Sequence, residues 1–248
     1  MDQVSIVTAH SERATLRVGG TFLKIDADEA RIDREAEAMQ LAPIPTPKLL
    51  WRKPHVLALS VLPGIALARV GQPSPASPEA WAAAGAAVRR LHDAPTPPWL
   101  GRAGRPLDEL TPDLDRECDR LIADGTLPAA LVTRNRELAE AALRPWSPAF
   151  THGDLHVAHV FTDNDEVTGI IDWSEAGQGD PLYDLASLTV AHQNHLTDVL
   201  TGYGTTVDLK VIHAWWFLRT LLVVRWLTTH GHNPHTPGGA VDVLRAQL

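Results

Sequence analysis

The sequence predicts an α+β fold with two lobes: a small β-rich N-terminal lobe over residues 1–62 and a larger, mostly helical C-terminal lobe over residues 63–248. Three observations lead to this prediction. Short apolar runs separated by turn residues such as Gly19-Gly20 fill much of the first part and are typical of strands and hairpins. Pro63-Gly64 ends the last of these runs, so the linker between the lobes is predicted at about residues 59–64. Beyond it, apolar residues recur at helical spacing.

The N-terminal lobe is predicted to contain five strands and one helix. The strands are predicted over residues 4–7, 14–18, 21–25, 49–51 and 56–62, with a polar loop over residues 8–13. Residues 28–41 are rich in Ala, Glu and Arg and carry Ile32, Ala36 and Met39 on one face, which predicts a helix. Prolines from Pro43 onward end that helix.

The C-terminal lobe is predicted to contain five longer helices. Ser77 is a good N-cap with Pro78 at the first helical position. Thr111 and Pro112 predict the start of a second helix by the same reasoning, and Gly125 predicts its end. Further helices are predicted over residues 129–143, 183–192 and 208–230.

Composition and charge narrow the classes of function. The net charge of −8 argues against nucleic acid or an anionic membrane as a partner, and it is compatible with a cationic ligand. The single cysteine, Cys118, excludes an intrachain disulfide and is predicted to be a core residue. The most apolar run covers residues 211–227. Arg219 and Arg225 interrupt it, which favours a buried bundle helix over a membrane span. The first residues have no cationic leader pattern, so the cytoplasm is the expected compartment.

Residues 151–185 carry the most informative pattern. His152-Gly153-Asp154 is followed by a short apolar strand, a turn, a second apolar strand that ends at Asp172, and a helix start at Asp180-Pro181. A carboxylate at the mouth of a buried strand is costly unless it has a partner such as a cation.

This order of motifs resembles that of the aminoglycoside phosphotransferase family, which is related to the protein kinases. The resemblance extends from about residue 3 to about residue 230. It implies a bilobal, protein-kinase-like fold and a small-molecule kinase activity. The Asp172-Trp173 pair, where protein kinases have Asp-Phe, points away from a protein substrate.

The resemblance also implies roles for individual residues. Asp154 would orient the acceptor hydroxyl and accept its proton, and Asp172 would bind the metal ion. Lys24, on the third strand, would contact the nucleotide phosphates, and Glu35 on the next helix would pair with Lys24.

Further roles implied by the resemblance concern the edges of the site. Ser11 would donate to phosphate, the backbone of Ser60, Val61 and Leu62 would bind the nucleotide base, His152 would brace the catalytic loop, and Glu175 would contact the acceptor. One position departs from the family pattern, because His159 stands where the family usually has asparagine. We expect His159 to take the metal-proximal place. As a metal ligand, its imidazole would favour Mn²⁺ over Mg²⁺; as imidazolium, it would bond a phosphate oxygen; a purely structural His159 would imply a catalytically poor protein.

The expected function is therefore transfer of the γ-phosphate of ATP (or GTP), with Mg²⁺ or Mn²⁺, to a hydroxyl of a small, cationic acceptor such as an aminoglycoside or a related antibiotic. Two alternatives stay open from the sequence. The first is a nucleotide-binding pseudokinase in which His159 impairs metal binding. The second is a metal-dependent hydrolase, with a zinc site formed by Asp154 and the H-x3-H-x2-H spacing of His152, His156 and His159. The sequence leaves the oligomeric state open.

Overall fold

The first part of the chain folds into one antiparallel sheet. The computed structural model describes residues 4–9 and 12–246. Five strands pair in the order β1-β2-β3-β5-β4, and they are β1 (Val4–Ala9), β2 (Arg13–Val18), β3 (Thr21–Asp26), β4 (Leu49–Lys53) and β5 (Val56–Ser60). The chain turns from β2 to β3 at Gly19. The φ of Gly19 is 57°, a left-handed conformation that glycine adopts without steric cost. The register places Lys24 inside the sheet, opposite Thr15 on β2 and Leu57 on β5.

Helix α1 (Glu29–Leu41) packs against β3 and β5. It begins after Asp28, whose side chain accepts a hydrogen bond from the backbone N–H of Ala30 and so caps the first turn. Its buried face carries Ile32, Ala36 and Met39, as predicted. Glu35 lies on the same face and is also buried, which is unusual for a carboxylate without a partner.

Helices dominate the rest of the chain. They are α2 (Pro78–His92), α3 (Leu107–Ala123), α4 (Ala129–Ala139), α5 (Pro181–Thr189), α6 (Leu196–Tyr203), α7 (Leu209–Thr229) and α8 (Ala240–Arg245). The long helix α7 packs against α3, α4, α5 and α8, and its side chains Trp215, Trp216 and Phe217 are buried. Burial of a side chain as large as Phe contributes about 1.5–3 kcal/mol to folding, so α7 forms the centre of this part of the core.

Two small sheets carry the segments that connect α4 to α5. β6 (Ile65–Ala66), β8 (Val160–Asp163) and β9 (Glu166–Ile170) form one sheet, and β7 (Ala149–Thr151) pairs with β10 (Gly177–Gly179) in the other. His152-Gly153-Asp154 directly follows β7, and Asp172 lies two residues after β9. The two motif loops, one with His152-Gly153-Asp154 and one with Asp172, thus begin at the ends of strands in the larger, helical part of the fold.

The predicted α+β class, with a small β-rich part followed by a larger helical part, is confirmed. The prediction for α3 is wrong at its start, because the helix begins at Leu107 and contains Pro112. Leu110, Leu114 and Cys118 lie on one buried stripe that starts before the proline. Burial of that stripe outweighs the backbone hydrogen bond that Pro112 cannot donate.

Other differences concern the ends of elements. β1 extends through Ala9 and β2 begins at Arg13, so the loop predicted over residues 8–13 is shorter, and β5 ends at Ser60 rather than at residue 62. α4 passes into a 3₁₀ turn over Glu140–Ala142, and α5 spans Pro181–Thr189 rather than 183–192. Helices α6 and α8 and the strands β6, β7 and β10 were not predicted. The boundary between the lobes at residues 59–64 stays a prediction.

Two predictions about single features can be compared directly with the fold. Cys118 is buried in α3, as predicted for a core residue. None of the helices within residues 4–9 and 12–246 combines the length and the apolar character that crossing a bilayer requires.

Candidate active site

The central feature of the site is a lysine held between two carboxylates. Lys24 Nζ on β3 donates to Oε1 and Oε2 of Glu35 on α1, both at 2.7 Å, and to Oδ1 of Asp172 at 2.7 Å. Burial lowers the pKa of Lys24, but the charges of Glu35 and Asp172 outweigh that effect and raise its pKa above its usual value. Lys24 is therefore charged and joins the N-terminal sheet to the loop after β9.

Two carboxylates share this one lysine, so the triad carries a net charge of −1. Burial and the charge of Asp172 raise the pKa of Glu35, although Lys24 opposes them. Burial also acts to raise the pKa of Asp172, but Lys24 and His159 hold that pKa well below its usual range. We therefore place the negative charge on Asp172, whose side chain is 34% exposed whereas that of Glu35 is 2% exposed. A partly exposed, ionised carboxylate that carries the excess negative charge of the triad suits a divalent cation.

The backbone at Asp172 adopts a conformation that non-glycine residues rarely take. Its φ is 67°, in the left-handed region. The next residue, Trp173, is fully buried, and its indole Nε1 donates to the carbonyl of Ile170 at 2.8 Å. The buried tryptophan fixes the chain on one side of Asp172, and the strained backbone aims the carboxylate toward Lys24.

A buried carboxylate holds the loop that contains Asp154. Asp184 on α5 accepts hydrogen bonds from the backbone N–H groups of His152 at 2.7 Å and Gly153 at 2.9 Å, and from His92 Nε2 at 3.1 Å. Gly153 has a φ of 78°, and a Cβ atom there would lie 2.2 Å from the carbonyl oxygen of Glu175. Only glycine fits this close approach between the two motif loops.

His152 links the same two loops. Its Nε2 donates to the carbonyl of Ile171 at 2.9 Å, and its Nδ1 accepts from the backbone N–H of Asp154 at 3.3 Å. Because a carbonyl can only accept, the proton of the neutral ring lies on Nε2. The buried ring thereby joins the backbone of Asp154 to the residue that precedes Asp172.

Asp154 is paired with an arginine from the long helix α7. Arg219 Nη2 donates to Asp154 Oδ1 at 2.8 Å. The Arg219 guanidinium also donates to Ser187 Oγ and lies 5.3 Å from the centre of the Tyr183 ring. Burial would raise the pKa of Asp154, but Arg219, the neighbouring histidines and Arg102 lower it to about 2. Asp154 is thus ionised and its position is fixed.

His159 stands between the two aspartates. Its Nδ1 donates to the backbone carbonyl of Asp154 at 2.9 Å, which leaves the Nε2 lone pair free in the neutral ring. That Nε2 lies 3.7 Å from Asp172 Oδ2. Ligand atoms of Asp154, His156 and His159 also lie within 4.8 Å of one another. The site therefore offers carboxylate oxygens together with imidazole nitrogen, a donor set that Mn²⁺ or Zn²⁺ accepts more readily than Mg²⁺ does.

Comparison with known proteins assigns the family. The model of the phosphotransferase enzyme family matches residues 7–213, which is most of the chain. The chain belongs to this family. Among curated protein sequences none matches.

Solved structures of similar fold are antibiotic-modifying phosphotransferases by their names. The macrolide 2'-phosphotransferase MphH from Brachybacterium faecium is 20% identical, with 99% of this chain and 92% of that chain covered and a TM-score of 0.66. The aminoglycoside phosphotransferase APH(3'')-Id from Streptomyces rimosus is 23% identical, with 88% and 92% covered and a TM-score of 0.62. A GDP complex of aminoglycoside 2'-phosphotransferase-IIIa is 15% identical, with 99% and 92% covered and a TM-score of 0.74. At these identities the likeness shows the fold, and the predicted kinase-like bilobal architecture is confirmed.

In this phosphotransferase, the structure describes some of the residues that were predicted to contact the nucleotide and not others. Ser11 lies outside the described residues. The N–H of Ser60 donates to the carbonyl of Lys48 at 3.0 Å, so the structure does not offer that amide to a nucleotide base. Val61 and Leu62 follow β5, and the Leu62 side chain lies against Gly169 of β9. Their role in base binding stays a prediction.

Glu175 is next to the catalytic loop but is not a free carboxylate. Its Oε2 accepts from Arg102 Nε at 3.1 Å, and its Oε1 lies 3.6 Å from Arg13 Nη2. Two arginines thus hold Glu175 in this structure, and its contact with the acceptor stays a prediction.

Sequence reasoning missed three residues that organise the site. Arg219 was used only to exclude a membrane span, yet an arginine within a strongly apolar helix needs an anionic partner, and this need was a signal of a buried ion pair. Asp184 lies just after the predicted helix start at Asp180-Pro181 and was not singled out, because its contacts with the catalytic loop depend on packing between β7 and α5. His92 on α2 carried no sequence signal.

Proposed function

We propose that this protein transfers the γ-phosphate of ATP or GTP to a hydroxyl of a small-molecule acceptor. The observation that carries the proposal is the contact of Lys24 with both Glu35 and Asp172 at 2.7 Å, in a chain that belongs to a phosphotransferase family. A lysine and a paired glutamate that hold nucleotide phosphates, together with a metal-binding aspartate, are the recurring parts of kinase-type sites. Lys24 here stands in the same arrangement.

The proposed reaction forms one bond and breaks one bond at phosphorus. The acceptor hydroxyl oxygen attacks the γ-phosphorus, the bond from that phosphorus to the β–γ bridging oxygen breaks, and the nucleoside diphosphate leaves. The hydroxyl proton passes to the Asp154 carboxylate, which Arg219 keeps ionised and oriented. A weakly basic carboxylate is sufficient, because in a loose transition state the proton leaves late.

The donor set next to Lys24 fits a divalent metal ion. Asp172 would be the main ligand, and His159 Nε2 would be a second. The bound ion would neutralise charge on the nucleotide phosphates. Arg219, Lys24 and the buried bracing residue His152 would meanwhile keep both aspartates in place.

The relatives guide the choice of nucleotide and acceptor. One structural relative is a GDP complex and another, aminoglycoside phosphotransferase APH(2'')-Ib, is ADP-bound, which supports both ATP and GTP as donors. Aminoglycosides and macrolides, named in the relatives, are the first antibiotic acceptors to examine. The prediction of a cationic acceptor is tested within the same panel. The cytoplasm remains the expected compartment.

The two alternative functions receive no support. A pseudokinase would lack part of the phosphate-binding and metal-binding set, whereas this chain has the whole set. Lys24 contacts Glu35 and Asp172 directly, and His159 lies between Asp172 and Asp154. A zinc hydrolase is disfavoured by the family assignment.

The experiment is an acceptor panel with ATP and GTP, each with Mg²⁺ and Mn²⁺, in which nucleoside diphosphate release and a phosphorylated product are both measured. Asp154→Asn is the matched control, because it is nearly isosteric and lacks the basic oxygen. We expect it to lower kcat by about 10²–10⁴-fold while nucleotide binding is retained. Wild-type turnover by this variant, or absence of nucleotide binding by the wild-type chain, would refute the proposal.

A further inference from the structure

The acceptor side of the site holds arginines where a binder of polycations needs carboxylates. We use the term acceptor-side cluster for Asp154, Arg219, Tyr183, Glu175 and Arg102. Arg219 reaches Asp154 from α7 and lies over the Tyr183 ring, and its side chain is only 13% exposed. Its charge is therefore a fixed part of the site.

Arg102 belongs to the same cluster through the backbone. Glu175 packs so closely on Gly153 that no Cβ fits between them, and Gly153 precedes Asp154. The backbone N–H of Arg102 donates to the carbonyl of Glu175 at 3.0 Å, and its Nε donates to the Glu175 carboxylate at 3.1 Å. Arg102 is thus held beside the catalytic loop by two contacts with one residue.

Four acids of the two motif loops and of the first turn of α5 already have partners within the described part of the chain. Asp154 is paired with Arg219, and Glu175 with Arg102 and Arg13. Asp184 is buried and used by the backbone of the catalytic loop, and Asp180 is buried and contacts Arg144 and Trp215. The net charge of −8 therefore does not translate into free carboxylates at this site.

The guanidinium of Arg102 has unused donors. Its side chain is 48% exposed, and within the described residues its terminal nitrogens have no hydrogen-bond partner. The edge formed by the two terminal nitrogens of the guanidinium can bind a carboxylate in a bidentate way. An ammonium group brought to the same edge would be repelled by the Arg102 guanidinium instead.

Resting on the proposed function, we propose that the acceptor is a small hydroxyl compound that also carries a carboxylate, with its hydroxyl at Asp154 and its carboxylate at Arg102. Arg219 fixes Asp154, while Arg102 selects the charge of the acceptor. This assignment replaces the expectation of a polycationic acceptor, which was drawn from net charge and from Glu175.

The test uses acceptors that share a carbon framework and differ in charge. Gluconate, glucose and glucosamine provide charges of −1, 0 and +1, and kanamycin represents the polycations. Each is assayed with the wild-type chain and with Arg102→Gln, and kcat/KM is measured. The matched control is Arg120→Gln, because Arg120 on α3 is 51% exposed and contacts Glu117 at 2.7 Å, away from the site.

We expect the wild-type chain to prefer the anionic acceptor. Arg102→Gln should lower kcat/KM for gluconate by about 10- to 150-fold, the range for loss of a charge-assisted hydrogen bond, mainly through KM. It should change kcat/KM for glucose by a smaller factor, because Arg102 also acts on Asp154, and it should raise kcat/KM for kanamycin, while Arg120→Gln changes none of them. Opposite signs for the two charged acceptors are the specific mark of a charge-selecting arginine.

Three results would overturn the inference. They are a wild-type preference for kanamycin over the other three compounds, an equal effect of Arg102→Gln on all acceptors, and nucleotide binding without phosphorylation of any anionic acceptor. Nucleotide binding is measured separately by thermal shift with ATP and GTP. Absence of that binding would refute the proposed function itself, which keeps the two failures distinct.

Discussion

Replacing Asp184 with alanine removes the acceptor of two buried backbone N–H groups in the catalytic loop, those of His152 and Gly153. Asp184 is fully buried, so water cannot take its place without rearrangement. Each buried donor left without an acceptor costs about 1–3 kcal/mol, so the pair costs about 2–6 kcal/mol of the free energy of unfolding. A mid-range loss of about 4 kcal/mol lowers the melting temperature of a chain of this size by about 8–16 °C.

The assay is urea unfolding followed by tryptophan fluorescence, for which the chain has eight tryptophans. Asp208→Ala is the matched control: it makes the same substitution at the exposed N-cap of α7, where Asp208 accepts from the backbone N–H of Lys210 at 2.9 Å. It should cost about 1 kcal/mol. Asp184→Asn keeps one of the two accepting oxygens and should fall between the wild-type chain and Asp184→Ala. If Asp184→Ala costs no more than Asp208→Ala, the carboxylate does not hold the loop and the reasoning is refuted.

Three further predictions concern Lys24, His159 and Cys118. Lys24→Ala should raise the KM for the nucleotide and leave the KM for the acceptor unchanged, because the lysine is proposed to contact phosphate; a change confined to the acceptor KM would contradict that role. His159→Asn should lower the ratio of activity with Mn²⁺ to activity with Mg²⁺, since an oxygen ligand replaces a nitrogen; an unchanged ratio would exclude His159 from metal binding. Burial raises the pKa of the Cys118 thiol to about 11, so the native chain should resist a thiol reagent at pH 8 and bind one equivalent once unfolded; fast labelling of the native chain would argue against a buried thiol.

The residues that the family resemblance identified are those whose relative positions follow from the order of short motifs along the chain. Lys24 on a strand and Glu35 on the next helix are 11 residues apart and meet across one sheet-helix contact. The catalytic loop was likewise readable because its histidine, glycine and aspartate are consecutive. For such residues the chain itself supplies most of the geometry.

The residues that sequence analysis missed depend on contacts between distant elements. Arg219 is 65 residues from Asp154, and Asp184 reaches the catalytic loop only because α5 packs beside β7. Their partners cannot be chosen from sequence alone, since any buried arginine could pair with several acids. Pro112 failed as a helix start for a similar reason, because the buried stripe of α3, and not the local propensity of proline, sets where that helix begins.

The contact between Lys24 and Asp172 has a consequence for the order in which ligands arrive. A metal ion that approached Asp172 alone would come close to the Lys24 ammonium, 2.7 Å from the same carboxylate. Unit charges 4 Å apart near a protein surface repel by about 4 kcal/mol. Triphosphate oxygens remove this conflict, because they attract the lysine and the ion together. Cation and nucleotide should therefore bind with strong positive thermodynamic coupling, each raising the affinity of the other by the same factor.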